Sequence, residues 1–120
     1  MLVQVGILSY AEANSSELNS GDTSTFQTVV FDTPFPAGVR PMVFPMVQTF
    51  NGSETPGLRI AEINRFGFKI RLNELVGNGQ VYTQPGHNNE SIAWIAISPL
   101  CYPGALGTIQ ELPCCHGKGK

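Results

Sequence analysis

Residues 57–74, GLRIAEINRFGFKIRLNE, predict two strands joined by a tight turn over residues 64–67. Apolar and polar residues alternate along residues 68–73, which is the period-two pattern of a strand with one face on a core. The other face carries cations, among them Arg59, Lys69 and Arg71. It is interpreted either as a polar groove for a glycan or a neighbouring protein, or as a solvated strand face with cross-strand ion pairs.

Working outward from this hairpin, the chain predicts six strands, near residues 2–9, 25–33, 41–50, 57–64, 67–74 and 90–98. The stretches between them are rich in Asn, Ser, Gly and Pro, which favour turns and loops. Six short strands separated by turn signals, with no convincing helical pattern, predict an all-β protein with a six-stranded antiparallel β-sandwich.

The third and sixth predicted strands are apolar at both odd and even positions, which indicates that protein covers both of their faces. Pro45 within the third strand points to a sheet edge or a bulge, because proline lacks the amide donor of a paired strand. One face of these strands should fill the sandwich and the other should meet neighbouring subunits. The candidate interface residues are Phe44, Met46, Trp94 and Ile95.

The chain is 120 residues long and 42% hydrophobic, enough for one domain with one core, which we place at residues 1–98. Residues 99–120 contain four glycines and three prolines without a sustained periodicity. This composition predicts an extended C-terminal arm or a disordered tail, because such a segment cannot form a core of its own. The arm is the candidate attachment element.

Composition and motifs argue against several function classes. Only 13% of residues are charged and the net charge is −2, so neither nucleic acid nor an anionic membrane is an expected partner. The sequence contains no catalytic motif, no membrane-spanning run and no basic, cleavable leader, so we expect a non-enzymatic protein made without classical export. No cofactor is expected. A zinc site is not expected either, because adjacent cysteines rarely bind one zinc ion together. The side chains that could bind a soft metal ion are Cys101, Cys114, Cys115 and His116.

With these strands placed, several short motifs in residues 3–97 can be considered together: Val3-Gln4 with Gly6, Phe31 with residues 34–41, Leu58-Arg59-Ile60, Gly67-Phe68-Lys69, and Ser91-Ile92 with Trp94-Ile95 and Ile97. In order and spacing they resemble the H-type lectin domain, the fold of the snail agglutinins that bind N-acetylgalactosamine. The resemblance implies a six-stranded sandwich that forms a trimer, with sugar bound between adjacent subunits.

The resemblance also suggests site residues. Arg59 stands at the position of the family's sugar-contacting arginine, and Gly21 and Asp22 could match the early glycine and aspartate contacts. Where the snail lectins have an adjacent Trp-His pair, this chain has Leu75 and Val76, which offer no aromatic face to a sugar ring.

His87 lies in the predicted loop before the last strand. It is interpreted either as a replacement polar contact for a sugar or as an exposed residue that caps a turn.

Similar domains occur in bacteriophage virion proteins as trimeric knobs, fibre tips or decorations of the shell. The leading hypothesis is therefore a virion protein, assembled in the host cytoplasm, that attaches to neighbouring virion proteins through residues 99–120. The alternative is a carbohydrate-binding receptor module on a phage fibre, or a free extracellular lectin, that binds a surface glycan.

Overall fold

The computed structural model describes residues 1–12, 17–82 and 87–98, with side chains for all of these except residues 11, 12 and 87. The described ranges contain no helix and eight strands: β1 (Leu2–Glu12), β2 (Gln27–Val30), β3 (Met42–Val47), β4 (Gly57–Asn64), β5 (Gly67–Asn73), β6 (Val76–Gly77), β7 (Gln80–Val81) and β8 (His87–Ser98). The predicted arm, residues 99–120, lies outside the described residues.

The long strands form two antiparallel three-stranded sheets, in the orders β1-β8-β3 and β2-β5-β4. Both sheets contribute side chains to one buried cluster, in which Ile92, Trp94 and Ala96 of β8 join those of β5, which are Phe68, Ile70 and Leu72. The all-β class is therefore confirmed, and the arrangement is consistent with a β-sandwich.

The predicted hairpin is confirmed, since β4 ends at Asn64 and β5 begins at Gly67. The Phe66 amide donates a hydrogen bond to Asn64 Oδ1 at 2.8 Å, which closes the turn. A bulge shifts the pairing between Ala61 and Asn64, and within it Glu62 has a φ of 51°.

The loop predicted between the strands at residues 67–74 and 90–98 is wrong in part, because that region contains three strand segments. β6 and β7 pair across Asn78-Gly79, whose φ angles of 53° and 77° form a tight hairpin turn. β8 starts at His87, three residues earlier than predicted, and His87 pairs with Glu12 of β1.

Trp94 lies in the core, over Gly6, its direct partner on β1. A Cβ on Gly6 would overlap the indole, so only glycine leaves room for this contact. The indole packs against Phe31 and Phe68, with ring centroids 5.6 and 5.5 Å away. The prediction that Trp94 shares an interface with Phe44, Met46 and Ile95 is wrong, because neighbouring residues on a strand point to opposite faces.

The first sheet has β3 at one edge and β1 at the other. β3 lies at an edge, so Pro45 costs no hydrogen bond to a further strand. At the other edge, the Gln4 side-chain amide donates to the Thr33 carbonyl at 2.6 Å and ties β1 to the segment that follows β2.

Candidate functional site

The face of the β1-β8-β3 sheet that points away from the core carries three consecutive rows of apolar side chains, and we call these rows the outward apolar face. Strand pairing sets its side chains in three rows: Val3, Ile97 and Met42; Val5, Ile95 and Phe44; and Ile7, Ala93 and Met46. Phe44, Met46 and Ile95, three of the four predicted interface residues, therefore lie on one surface.

Seven of these nine side chains are 41–68% exposed. Together they form one contiguous apolar patch that crosses all three strands of the sheet. Monomers rarely leave so large a contiguous apolar patch in water. The arrangement is suited to protein–protein contact.

The second candidate site is a hollow of about 250 Å³ beside β4, which we call the Arg59 hollow. The structure brings together here Gly21, Asp22 and Arg59, three of the four predicted sugar-binding residues. The remaining lining side chains come from the same loop and strand: Glu17, Leu18, Asn19, Ser20, Thr23, Phe26, Ile60 and Ala61.

Two side chains of β5 hold the loop that brings Gly21 and Asp22 to Arg59. Asn73 Oδ1 accepts a hydrogen bond from the Glu17 amide at 3.0 Å. Arg71 donates to Thr25 Oγ1 at 2.6 Å and to Asn73 Oδ1 at 3.1 Å. Residues 17 and 25 are both bonded to β5, and the residues between them line the hollow together with Arg59 of the adjacent strand β4.

Within the loop, Asp22 is oriented by Ser24. The Ser24 hydroxyl and amide donate to Asp22 Oδ1 at 2.7 and 3.0 Å, and these bonds lower the pKa of the Asp22 carboxyl. Gly21 has a φ of 85°, a conformation that glycine adopts without strain. Asp22 is therefore an ionised, exposed carboxylate that lines the same hollow as the exposed Arg59 guanidinium.

Most cations of the predicted cationic face of the hairpin are buried or bonded to other residues of the chain. Arg71 is fully buried, Arg65 donates to the Phe35 carbonyl at 2.8 Å, and Lys69 pairs with Glu62 at 3.3 Å. Arg59 is exposed and has no hydrogen bond or ion pair within residues 1–12, 17–82 and 87–98. Of these four cations, Arg59 is the one left for a ligand.

Glu62 also supports the rim of the hollow. Its carboxylate accepts a hydrogen bond from the Thr23 hydroxyl and pairs with Lys69. Both interactions lower the pKa of Glu62, the Thr23 bond more than the Lys69 bond. The loop is thus fastened to β4 as well as to β5.

The predicted sugar site also includes His87, and Leu75 and Val76 stand where the snail lectins have their Trp-His pair. The His87 side chain lies outside the described residues, so its role stays a prediction. Leu75 and Val76 are 40% and 42% exposed. The aromatic side chain in the hollow is Phe26, which the sequence pattern does not mark as a ligand contact because residues 25–33 have the pattern of one strand; in the structure Phe26 precedes β2.

Comparisons with protein-family models, curated proteins and solved structures give no match to this chain. In the described part of the chain, no helix is long and apolar enough to cross a membrane. Nor do the described side chains contain a group of three or more His, Cys, Asp or Glu residues placed to hold a metal ion. Cys101, Cys114, Cys115 and His116 lie outside those residues.

Proposed function

We propose that this chain is a non-enzymatic structural protein that works as a homo-oligomer. The observation that carries the proposal is the outward apolar face, whose nine aligned side chains have no polar member. Exposing such a face to water is unfavourable, and burying it against further copies removes the cost. Phe44 and Ile95 lie in its central row and form the centre of the contact.

The resemblance to the H-type lectin domain supports a trimer of six-stranded sandwiches, and it makes a bacteriophage virion the leading setting. In that setting the protein decorates the shell or forms a knob of the tail or fibre. Residues 99–120 bind the neighbouring virion proteins, because their Gly- and Pro-rich sequence suits an extended attachment arm.

Two measurements test this function separately. The mass of the chain in solution should be that of a trimer, and a monomer would contradict the assembly. Deleting residues 99–120 should leave that mass class unchanged but abolish incorporation into particles. Normal incorporation of the truncated chain would contradict the attachment role of residues 99–120 but not the proposed homo-oligomer.

The alternative function is carbohydrate binding at the Arg59 hollow, favoured by the meeting of Gly21, Asp22 and Arg59 around one cavity. A guanidinium and a carboxylate on one rim can donate to and accept from neighbouring sugar hydroxyls. Phe26 supplies an apolar wall for the C–H side of a ring.

A glycan array tests the alternative. Arg59→Ala should abolish binding, whereas Arg40→Ala, which removes an exposed arginine outside the hollow, should not. Binding that is indifferent to Arg59→Ala would reject the Arg59 hollow as the site.

A further inference from the structure

The chain contains two Asn-Gly pairs in turns of different construction, Asn51-Gly52 and Asn78-Gly79. An asparagine followed by glycine can lose its side-chain amide without an enzyme, because glycine has no Cβ to shield the backbone nitrogen that attacks the amide carbon. The reaction also requires a backbone that can leave its resting conformation and an attacking nitrogen that is not held in a hydrogen bond. The two pairs differ in both respects.

The Asn51-Gly52 pair is held by β8. The Asn51 side-chain amide donates to the Asn89 carbonyl at 2.7 Å. The Gly52 amide, which would be the attacking group, donates to the buried Glu90 carboxylate at 3.0 Å, and the Asn51 amide donates to the same carboxylate at 3.1 Å. A Cβ built on Gly52 would lie 3.3 Å from the Asn88 side chain, so the pair is also crowded. Reaction at Asn51 would have to break these contacts first.

The Asn78-Gly79 pair forms the two-residue turn between β6 and β7. Both residues are exposed. Among the residues that the structure describes, none bonds to the Asn78 side chain or accepts a hydrogen bond from the Gly79 amide. A Cβ built on Gly79 would meet nothing within 4 Å beyond its chain neighbours. The attacking nitrogen and the amide that it attacks are therefore both accessible.

The hairpin that carries this turn is short. β6 and β7 form a sheet of their own with two residue pairs, and Val76 and Val81 at its base are 42% and 47% exposed. An isolated two-stranded hairpin is marginally stable in water, and a segment with few buried contacts opens locally more often than the core does. The turn can thus reach the conformation in which the Gly79 nitrogen approaches Asn78 Cγ.

From these observations we propose that Asn78 is a site of spontaneous deamidation and that the fold protects Asn51 from the same reaction. The Gly79 backbone nitrogen bonds to Asn78 Cγ, the bond between Cγ and Nδ2 breaks, and ammonia leaves with the proton of the Gly79 amide. Water then opens the resulting succinimide ring at either of its carbonyls. The product is an aspartyl or an isoaspartyl residue at position 78.

Either product changes the tip of the hairpin. A carboxylate replaces a neutral amide, which adds one negative charge to the net charge of −2. The isoaspartyl product also adds a carbon atom to the backbone of the turn, so the turn no longer matches the pairing of β6 with β7. The two larger sheets share no strand with this hairpin and should keep their pairing. The modification involves neither the outward apolar face nor the Arg59 hollow.

The test is incubation of the full chain in mildly alkaline buffer, followed by peptide mass mapping that assigns the loss of amide nitrogen to one residue. In the folded chain Asn78 should react about ten-fold faster than Asn51 or more, because Asn51 must first lose its bonds to β8. The same chain unfolded in guanidinium chloride is the matched control. Both asparagines then precede a glycine without other contacts, so their rates should agree within about two-fold.

Asn78→Gln is the control variant, since glutamine would have to form a larger and slower ring. It should lose the modification at position 78, and its Asn51 should react as slowly as in the unmodified chain. Equal rates at the two asparagines of the folded chain, or faster reaction at Asn51, would overturn the proposal. A preference for Asn78 that is just as large in the unfolded chain would overturn it too, because the fold would then not be its cause.

Discussion

Arg59 and Arg71 are direct partners across β4 and β5, yet Arg59 is exposed and Arg71 is fully buried. Two cations opposite each other on one sheet face repel, which costs stability. The loop segment of residues 17–26 offsets this repulsion, because it bonds to the buried Arg71 through Thr25. One arginine therefore holds the Arg59 hollow together and the other remains for a ligand.

The two arginines should respond very differently to the same substitution. Arg71→Met leaves Thr25 and Asn73 without their buried donor, and we expect the free energy of unfolding to fall by about 3 kcal/mol. Arg59→Met should change it by less than about 0.5 kcal/mol, because Arg59 is exposed. Denaturant unfolding at fixed protein concentration measures both, and equal effects would refute the division of roles.

Glu62 should make the stability of the loop depend on pH on the acid side. Its pKa in the folded chain is below the ordinary value of 4.5 because of Thr23 and Lys69. Its contribution is therefore fully present above the ordinary pKa and is lost as the pH falls through the lowered one.

Thermal unfolding of the unmodified chain and Glu62→Gln between about pH 6 and pH 3 checks this, since the variant has no carboxyl to titrate. The difference in Tm between the two should shrink as the pH falls. A difference that stays constant over the range would show that the Glu62 contacts do not contribute.

Gly6→Ala should disturb the core around Trp94. The added methyl group overlaps the indole, so the ring must move, and we expect a loss of about 1–3 kcal/mol in the free energy of unfolding. Trp94 is the only tryptophan, so its fluorescence reports the displacement directly. Ser9→Ala, an exposed change on the same strand, is the control and should leave the emission spectrum unaltered.

The hairpin at residues 57–74 was predictable because its alternation and turn are local features. The burial of Arg71 was not, since it depends on a loop about fifty residues earlier in the chain. Trp94 was misplaced for a different reason. Both parities of β8 are apolar, so the pattern alone does not tell which set faces the core, and Gly6 decides it from another strand.

The Arg59 hollow was likewise predictable only in part. The resemblance suggested Gly21, Asp22 and Arg59, and the fold places them around one cavity. Neither pattern nor resemblance indicated Phe26, or the hydrogen bonds from Thr49, Asn51 and Gly52 to the buried Glu90 carboxyl, because both depend on contacts between distant segments. Non-local hydrogen bonds to buried polar groups have no periodic signature in a sequence.

Assembly through the outward apolar face is tested most directly by native mass measurement of the unmodified chain and of Phe44→Lys. Three chains of 13.0 kDa each give 39.0 kDa for the unmodified protein. Phe44→Lys places like charges in the central row and should reduce the mass to 13.0 kDa. Gln48→Lys, the same change in charge just beyond β3, should keep the oligomer. An unmodified chain that is monomeric, or a Phe44→Lys variant that keeps the oligomeric mass, would contradict the account.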